Sequence, residues 1–187
     1  MYMIKENLEN EIIINKSKFI TKLYKVDSVI EINEILKNLK KEYKDATHIC
    51  YAYIVGNNKK CSDDKEPKNT AGMPMLSVLE NKELTSILSV VIRYFGGIKL
   101  GAGGLLRAYS NSVSEALLKT NIIPYKKEHK IKIEFKYDDI SSINYYLKDY
   151  KITYKEFDIN VIYEFIYEDD NYPTNIDIFL IKKEPIS

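Results

Sequence analysis

Apolar and polar positions recur along the chain in short blocks. Residues Glu11–Asn15 and Lys18–Val26 read as two strands joined by the turn Asn15-Lys16-Ser17. Ser28 followed by Glu31 has capping-box spacing. Beyond it, Ile32, Ile35, Leu36, Leu39 and Tyr43 recur at three- and four-residue intervals, which predicts a helix with one buried stripe. Ala46–Val55 is a predicted strand ending in the turn Gly56-Asn57-Asn58, and the polar stretch 57–70 reads as a loop. Pro74 suits the first turn of a short helix reaching Leu79. Ile87–Tyr94 is rich in Val and Ile, as in a strand buried on both faces. After a glycine loop at Phe95–Gly104, residues Leu105–Thr120 place Leu105, Tyr109, Val113, Ala116 and Leu117 on one helical face.

The pattern then changes. Asn121–His129, with Pro124 and several charges, reads as a linker. Ile131, Ile133 and Phe135 alternate with Lys132, Glu134 and Lys136, predicting a half-exposed strand. Asp138 or Asp139 is placed to cap a helix over Ile140–Asp149. Lys151–Phe157 and Asn160–Tyr167 read as an antiparallel pair, and the residues after Pro173 as helical. The fold class expected is α+β in two domains, 1–124 and 129–187, the second a ferredoxin-like sandwich.

Composition sharpens this division. All seven glycines lie between Gly56 and Gly104. The 187 residues carry a net charge of only +1, but residues 1–128 hold 20 Lys and Arg against 15 Asp and Glu, and residues 129–187 hold 8 against 12. An anion-binding surface therefore belongs to the first part. Cys50 and Cys61 form no CxxC, which excludes a disulfide framework and a cysteine zinc site. No apolar run reaches membrane-spanning length, and the first ten residues have no secretory apolar core. A cytoplasmic location follows as an expectation, with no membrane partner.

The chemistry concentrates in two loops. In the segment Arg93–Ser110, the glycines Gly96, Gly97, Gly101, Gly103 and Gly104 stand between a strand and a helix. Glycines permit close approach and positive φ, and a helix start favours an anion. Arg93, Lys99 and Arg107 add charge, so the segment reads as a phosphate site, with Tyr94 and Tyr109 as neighbouring aromatic faces. It is neither a Walker A loop nor a GxGxxG fingerprint. The plain alternative is a tight connection in which glycines only relieve crowding. The second loop, Cys61–Gly72, offers Asp63, Asp64 and Glu66, which could hold Mg²⁺ beside a phosphate or equally pair with the basic loop. Thr70 closes that loop, and His48 lies on a strand two residues before Cys50. A lone strand histidine is more often structural than catalytic. No catalytic residue and no cofactor are assigned.

These segments resemble the IMPACT/YigZ family. The matching residues are Ser17-Lys18-Phe19-Ile20, Ala46-Thr47-His48 with Cys50-Tyr51-Ala52-Tyr53, Asp63-Asp64 with Glu66-Pro67 and Thr70-Ala71-Gly72, and the long segment Arg93–Leu105 with Arg107-Ala108-Tyr109-Ser110. The family's acidic loop usually reads DDGEPSGTAG, and here Lys65 and Asn69 replace both inner glycines. The resemblance implies an N-terminal domain like domain IV of elongation factor G, a fold shared with a ribosomal protein and GHMP kinases, and a C-terminal domain like domain V of that factor. It implies a role linked to translation, with RNA or the ribosome as partner, or a protein partner in translation control. The eukaryotic relative, which carries a further N-terminal domain, restrains an initiation-factor kinase. Fold analogy alone does not fix function. The leading expectation is a non-catalytic RNA- or ribosome-binding protein. The alternatives are a phosphate- or nucleotide-handling enzyme using a metal at Asp63, Asp64 and Glu66, and a protein-interaction regulator.

Overall fold

A computed structural model describes residues 1–169 and 171–186. The chain divides into two compact units, Met1–Tyr125 and Lys126–Ser187.

The first unit begins with strand β1 (Tyr2–Ile4), followed by β2 (Leu8–Ile14) and β3 (Ser17–Lys25), which pair as an antiparallel hairpin. Helix α1 (Val29–Glu42) is capped by Ser28 Oγ, which accepts from the Glu31 amide at 3.2 Å. Glu31 returns the bond to the Asp27 amide at 2.9 Å, one residue earlier than the capping box predicts. Strands β4 (His48–Val55), β5 (Asn58–Ser62) and β6 (Ile87–Tyr94) complete a five-stranded sheet in the order β2-β3-β6-β4-β5, antiparallel throughout. Helices α2 (Gly72–Asn81) and α3 (Gly101–Leu118) cover one face, where Phe19, Cys50, Met75, Leu79, Val91, Tyr109 and Val113 pack together. Helix α1 covers the other through Ile32, Leu36 and Leu39 against Ile20, Tyr53, Leu88 and Ile92. The central strand β6 is buried from Ile87 to Arg93, as its apolar run requires. Strand β7 (Ile122–Pro124) returns to pair with β1.

The second unit runs β8 (Glu128–Phe135), a 3-10 turn (Tyr137–Asp139), α4 (Ile140–Tyr146), β9 (Lys151–Phe157), β10 (Val161–Glu168), a 3-10 segment (Thr174–Phe179) and β11 (Leu180–Ile186). Its antiparallel sheet has the order β11-β8-β10-β9, the order of a split β-α-β arrangement. Ile133, Phe135, Ile143, Tyr163 and Phe165 form its core.

Several sequence expectations are corrected. Residues 58–62, read as loop, form β5. Its polar residues are tolerated because it is an edge strand with exposed side chains. The linker 121–129 contains β7 and the start of β8. The helix expected after Pro173 is one 3-10 segment followed by a strand. Neither Asp138 nor Asp139 caps α4, because a 3-10 turn leads into it and no side chain bonds its first amides. Gly101, Gly103 and Gly104 belong to α3, so the true loop is Phe95–Leu100. Among the described residues no helix is long and apolar enough to cross a membrane.

Candidate functional site

Sheet register assembles the site. At the end of β6, Arg93 lies opposite Phe19 on β3 and opposite His48 on β4. Cross-strand partners share a face, here the face covered by α2 and α3. The Arg93 side chain therefore turns inward, with its guanidinium 5.4 Å from the Phe19 ring centre. It meets Glu66 from the loop between β5 and α2, and Nη1 donates to Oε1. Both side chains are almost fully enclosed, at 6% and 3% exposure. The Tyr109 hydroxyl donates to the same carboxylate oxygen at 2.9 Å. Burial pushes the Tyr109 phenol up, so it remains a donor. The Cys50 thiol lies 3.0 Å from the Asp63 carbonyl and 3.4 Å from the Tyr109 hydroxyl, and burial pushes it up to about 12. It is a small packed side chain and not a nucleophile.

The acidic loop is held by its own carboxylates. Asp63 Oδ1 accepts from the Ala71 and Gly72 amides at 3.0 and 2.8 Å, and Oδ2 from the Asn69 amide at 2.8 Å. Asp63 thereby supplies the cap that α2 lacks at its own first residue. Asp64 Oδ2 accepts from the Ile49 amide at 2.7 Å, and the Asp64 carbonyl accepts from His48 Nδ1 at 2.8 Å. The Thr70 hydroxyl donates to the Pro67 carbonyl at 2.6 Å. Of the two roles open to Asp63, Asp64 and Glu66, metal binding or pairing with the basic loop, Glu66 takes the second by meeting Arg93. The oxygens of the three carboxylates point to different amides and to Arg93, and among the described residues no three metal-ligating side chains converge.

The glycine loop is fastened at both sides. The Phe95 amide donates to Thr47 Oγ1 at 2.9 Å and the Gly96 amide to Ser17 Oγ at 3.1 Å. Gly96 has no room for a side chain, since a Cβ there would fall 2.0 Å from the Lys16 carbonyl. Gly97 and Gly101 adopt φ of +85° and +69°, in the left-handed region. A Cβ on either would meet open space. Helix α3 starts without a side-chain cap, leaving its first amides free for a ligand.

Between these parts lies a cleft of about 290 Å³. Thr47, His48, Glu66 and Arg93 line it, Phe95 and Lys99 stand at it, and the first turn of α3 adds Gly101 and Ala102. Phe95 is 47% exposed. Lys99 and Arg107 are exposed, and Arg107 lies along α3 with Nη1 3.6 Å from the Cβ position of Gly103.

The sequence-derived set thus splits. Lys99, Gly97, Gly101, Gly103 and Arg107 are at the surface beside the cleft or along α3. Arg93 lines the cleft but is engaged by Glu66. Tyr109 is fully buried and Thr70 nearly so, which removes both as ligand contacts in this conformation. Tyr94 packs with the α1 face, the opposite side of the sheet, and its hydroxyl donates to Asp45 at 3.1 Å. Ser17 and Thr47, which fasten the glycine loop, lie in the matched segments Ser17–Ile20 and Ala46–His48 but carry neither charge nor aromatic ring to mark them. Phe95, and not the Tyr94 or Tyr109 singled out by the motif, is the aromatic ring exposed at the cleft.

Comparison with known proteins agrees with the motif reading. Residues 15–117 match the Impact N-terminal domain. The chain is 42% identical over 158 residues to the Bacillus subtilis IMPACT family member YvyE, a match covering 83% of this chain and 73% of that one. It is 42% identical over 109 residues to the Escherichia coli IMPACT family member YigZ, covering 56% and 53%. A crystal structure of a hypothetical protein superposes with a TM-score of 0.66 at 32% identity, covering 88% of this chain and 84% of that one. A domain match over 15–117 and extended identity to YvyE establish that the chain belongs to the IMPACT family.

Proposed function

We propose that this chain is a non-catalytic RNA-binding protein of the translation apparatus, acting in the cytoplasm on RNA or on the ribosome. The observation that carries the reading is the exposed Phe95 ring beside Lys99, at a cleft walled by the uncapped first turn of α3. An exposed ring stacks bases without regard to sequence. Free amides at a helix start hold a phosphate, and Lys99 and Arg107 add charge where the backbone would run. Membership of the IMPACT family supports placing that RNA in translation. The enzymatic alternative loses support from the geometry. Asp63 and Asp64 accept from backbone amides, and Glu66 Oε1 from Arg93 and Tyr109, so the three carboxylates are turned to different partners and among the described residues no three metal-ligating side chains converge.

The test is binding of a fluorescent single-stranded RNA and of ribosomes across a salt series. The double variant Lys99→Ala/Arg107→Ala is compared with the parent. For single-stranded RNA, affinity falls with salt, and the variant's log–log slope is shallower by roughly 0.7 for each lost phosphate contact. Equal binding by both proteins, or none by either, defeats the proposal.

A further inference from the structure

The floor of the cleft holds an unmatched pair of atoms. His48 Nδ1 is 2.8 Å from the Asp64 carbonyl oxygen. A carbonyl only accepts, so Nδ1 carries the proton, and in the neutral ring Nε2 is a bare acceptor. That Nε2 faces Glu66 Oε2 at 3.7 Å, beyond hydrogen-bond distance. Glu66 Oε1 is taken by Arg93 and Tyr109, and no partner is found for Oε2. With the His48 ring neutral, two acceptors face each other in a cleft that both residues line. A group with two hydrogens on one atom can satisfy both at once.

We infer that His48 Nε2 and Glu66 Oε2 together recognise the exocyclic amino group of a nucleobase stacked at Phe95. This deepens the proposed function and rests on it. Cytosine, adenine and guanine present such a group, whereas uracil presents carbonyl oxygens that would oppose both acceptors. A neutral amino group suits the site better than an ammonium, because Lys99 and the positive end of α3 border the same cleft. The His48 side chain is 18% exposed, which leaves it open to a group in the cleft. Glu66 is fixed in place by Arg93 and Tyr109, so the pair is preorganised.

The experiment uses the full chain and three oligoribonucleotides of equal length, built from cytidine, uridine and N4,N4-dimethylcytidine. All three stack one pyrimidine ring and carry the same backbone charge. The cytidine oligomer is expected to bind about tenfold more tightly than the uridine one, the scale of hydrogen bonds to a charged group. Dimethylation removes both donors without altering the protein, and is expected to lower cytidine binding to the uridine level. His48→Phe is expected to abolish the preference while the salt dependence persists. Equal, salt-dependent binding of all three oligomers to the parent overturns the amino-group inference and leaves the RNA-binding proposal standing. Unchanged binding of the dimethylated oligomer, with cytidine still preferred over uridine, overturns it likewise. Binding of none defeats both.

Discussion

Arg93 and Lys99 lie six positions apart and carry the same charge, yet they do different work. Lys99 is exposed at the cleft, whereas Arg93 is enclosed with Glu66 and Phe19. Removing one member of a buried ion pair leaves the other charge without compensation. Arg93→Ala is therefore expected to lower stability by about 3–5 kcal/mol, read as a shift in the denaturant midpoint. The Lys99→Ala/Arg107→Ala variant should leave that midpoint unchanged. If Arg93→Ala unfolds like the parent, the Glu66 pair does not support the fold. Three flanking cations were legible in the chain, but their directions were not. A strand buried on both faces has no polar alternation to reveal which way Arg93 turns. The same holds for Tyr109, whose place on an apolar helix stripe pointed to the core while its motif pointed to the ligand.

Elements whose stabilising contacts are local were the readable ones. The stripe Ile32, Leu36 and Leu39 of α1 is buried, and Ser28 caps that helix. The burial of β6 followed from its Val and Ile. By contrast, β5 and β11 are edge strands with exposed residues, and β7 finds its partner β1 more than a hundred residues away. Pairing of that kind leaves no periodic trace in the segment itself. The acidic loop shows how backbone conformation explains a departure from the family pattern. Lys65 and Asn69, which replace the two usual glycines, have φ of +69° and +62°. A side chain in the left-handed region costs about 1 kcal/mol, and asparagine tolerates it better than lysine. Lys65→Gly is expected to stabilise the first unit by up to about 1 kcal/mol, seen as a higher melting temperature. A lower one would mean that the Lys65 side chain makes a contact that outweighs the strain.

Every residue of the cleft and every strand pair of the five-stranded sheet lies within residues 1–125. The excess of positive charge is on the same part of the chain. Residues 1–125 alone are expected to fold cooperatively and to bind RNA with the salt dependence of the full chain, measured by circular dichroism and anisotropy. A folded fragment with no affinity would assign part of the RNA surface to residues 126–187, and the cleft would then be an incomplete site. Within the first unit, β1 and β7 form their own two-stranded ribbon, with Tyr2 opposite Pro124 and Ile4 opposite Ile122. A body whose entry and exit leave side by side can be spliced into a surface loop of an unrelated host without prying that host apart. The ribbon thus makes this unit suited to transplantation as one piece.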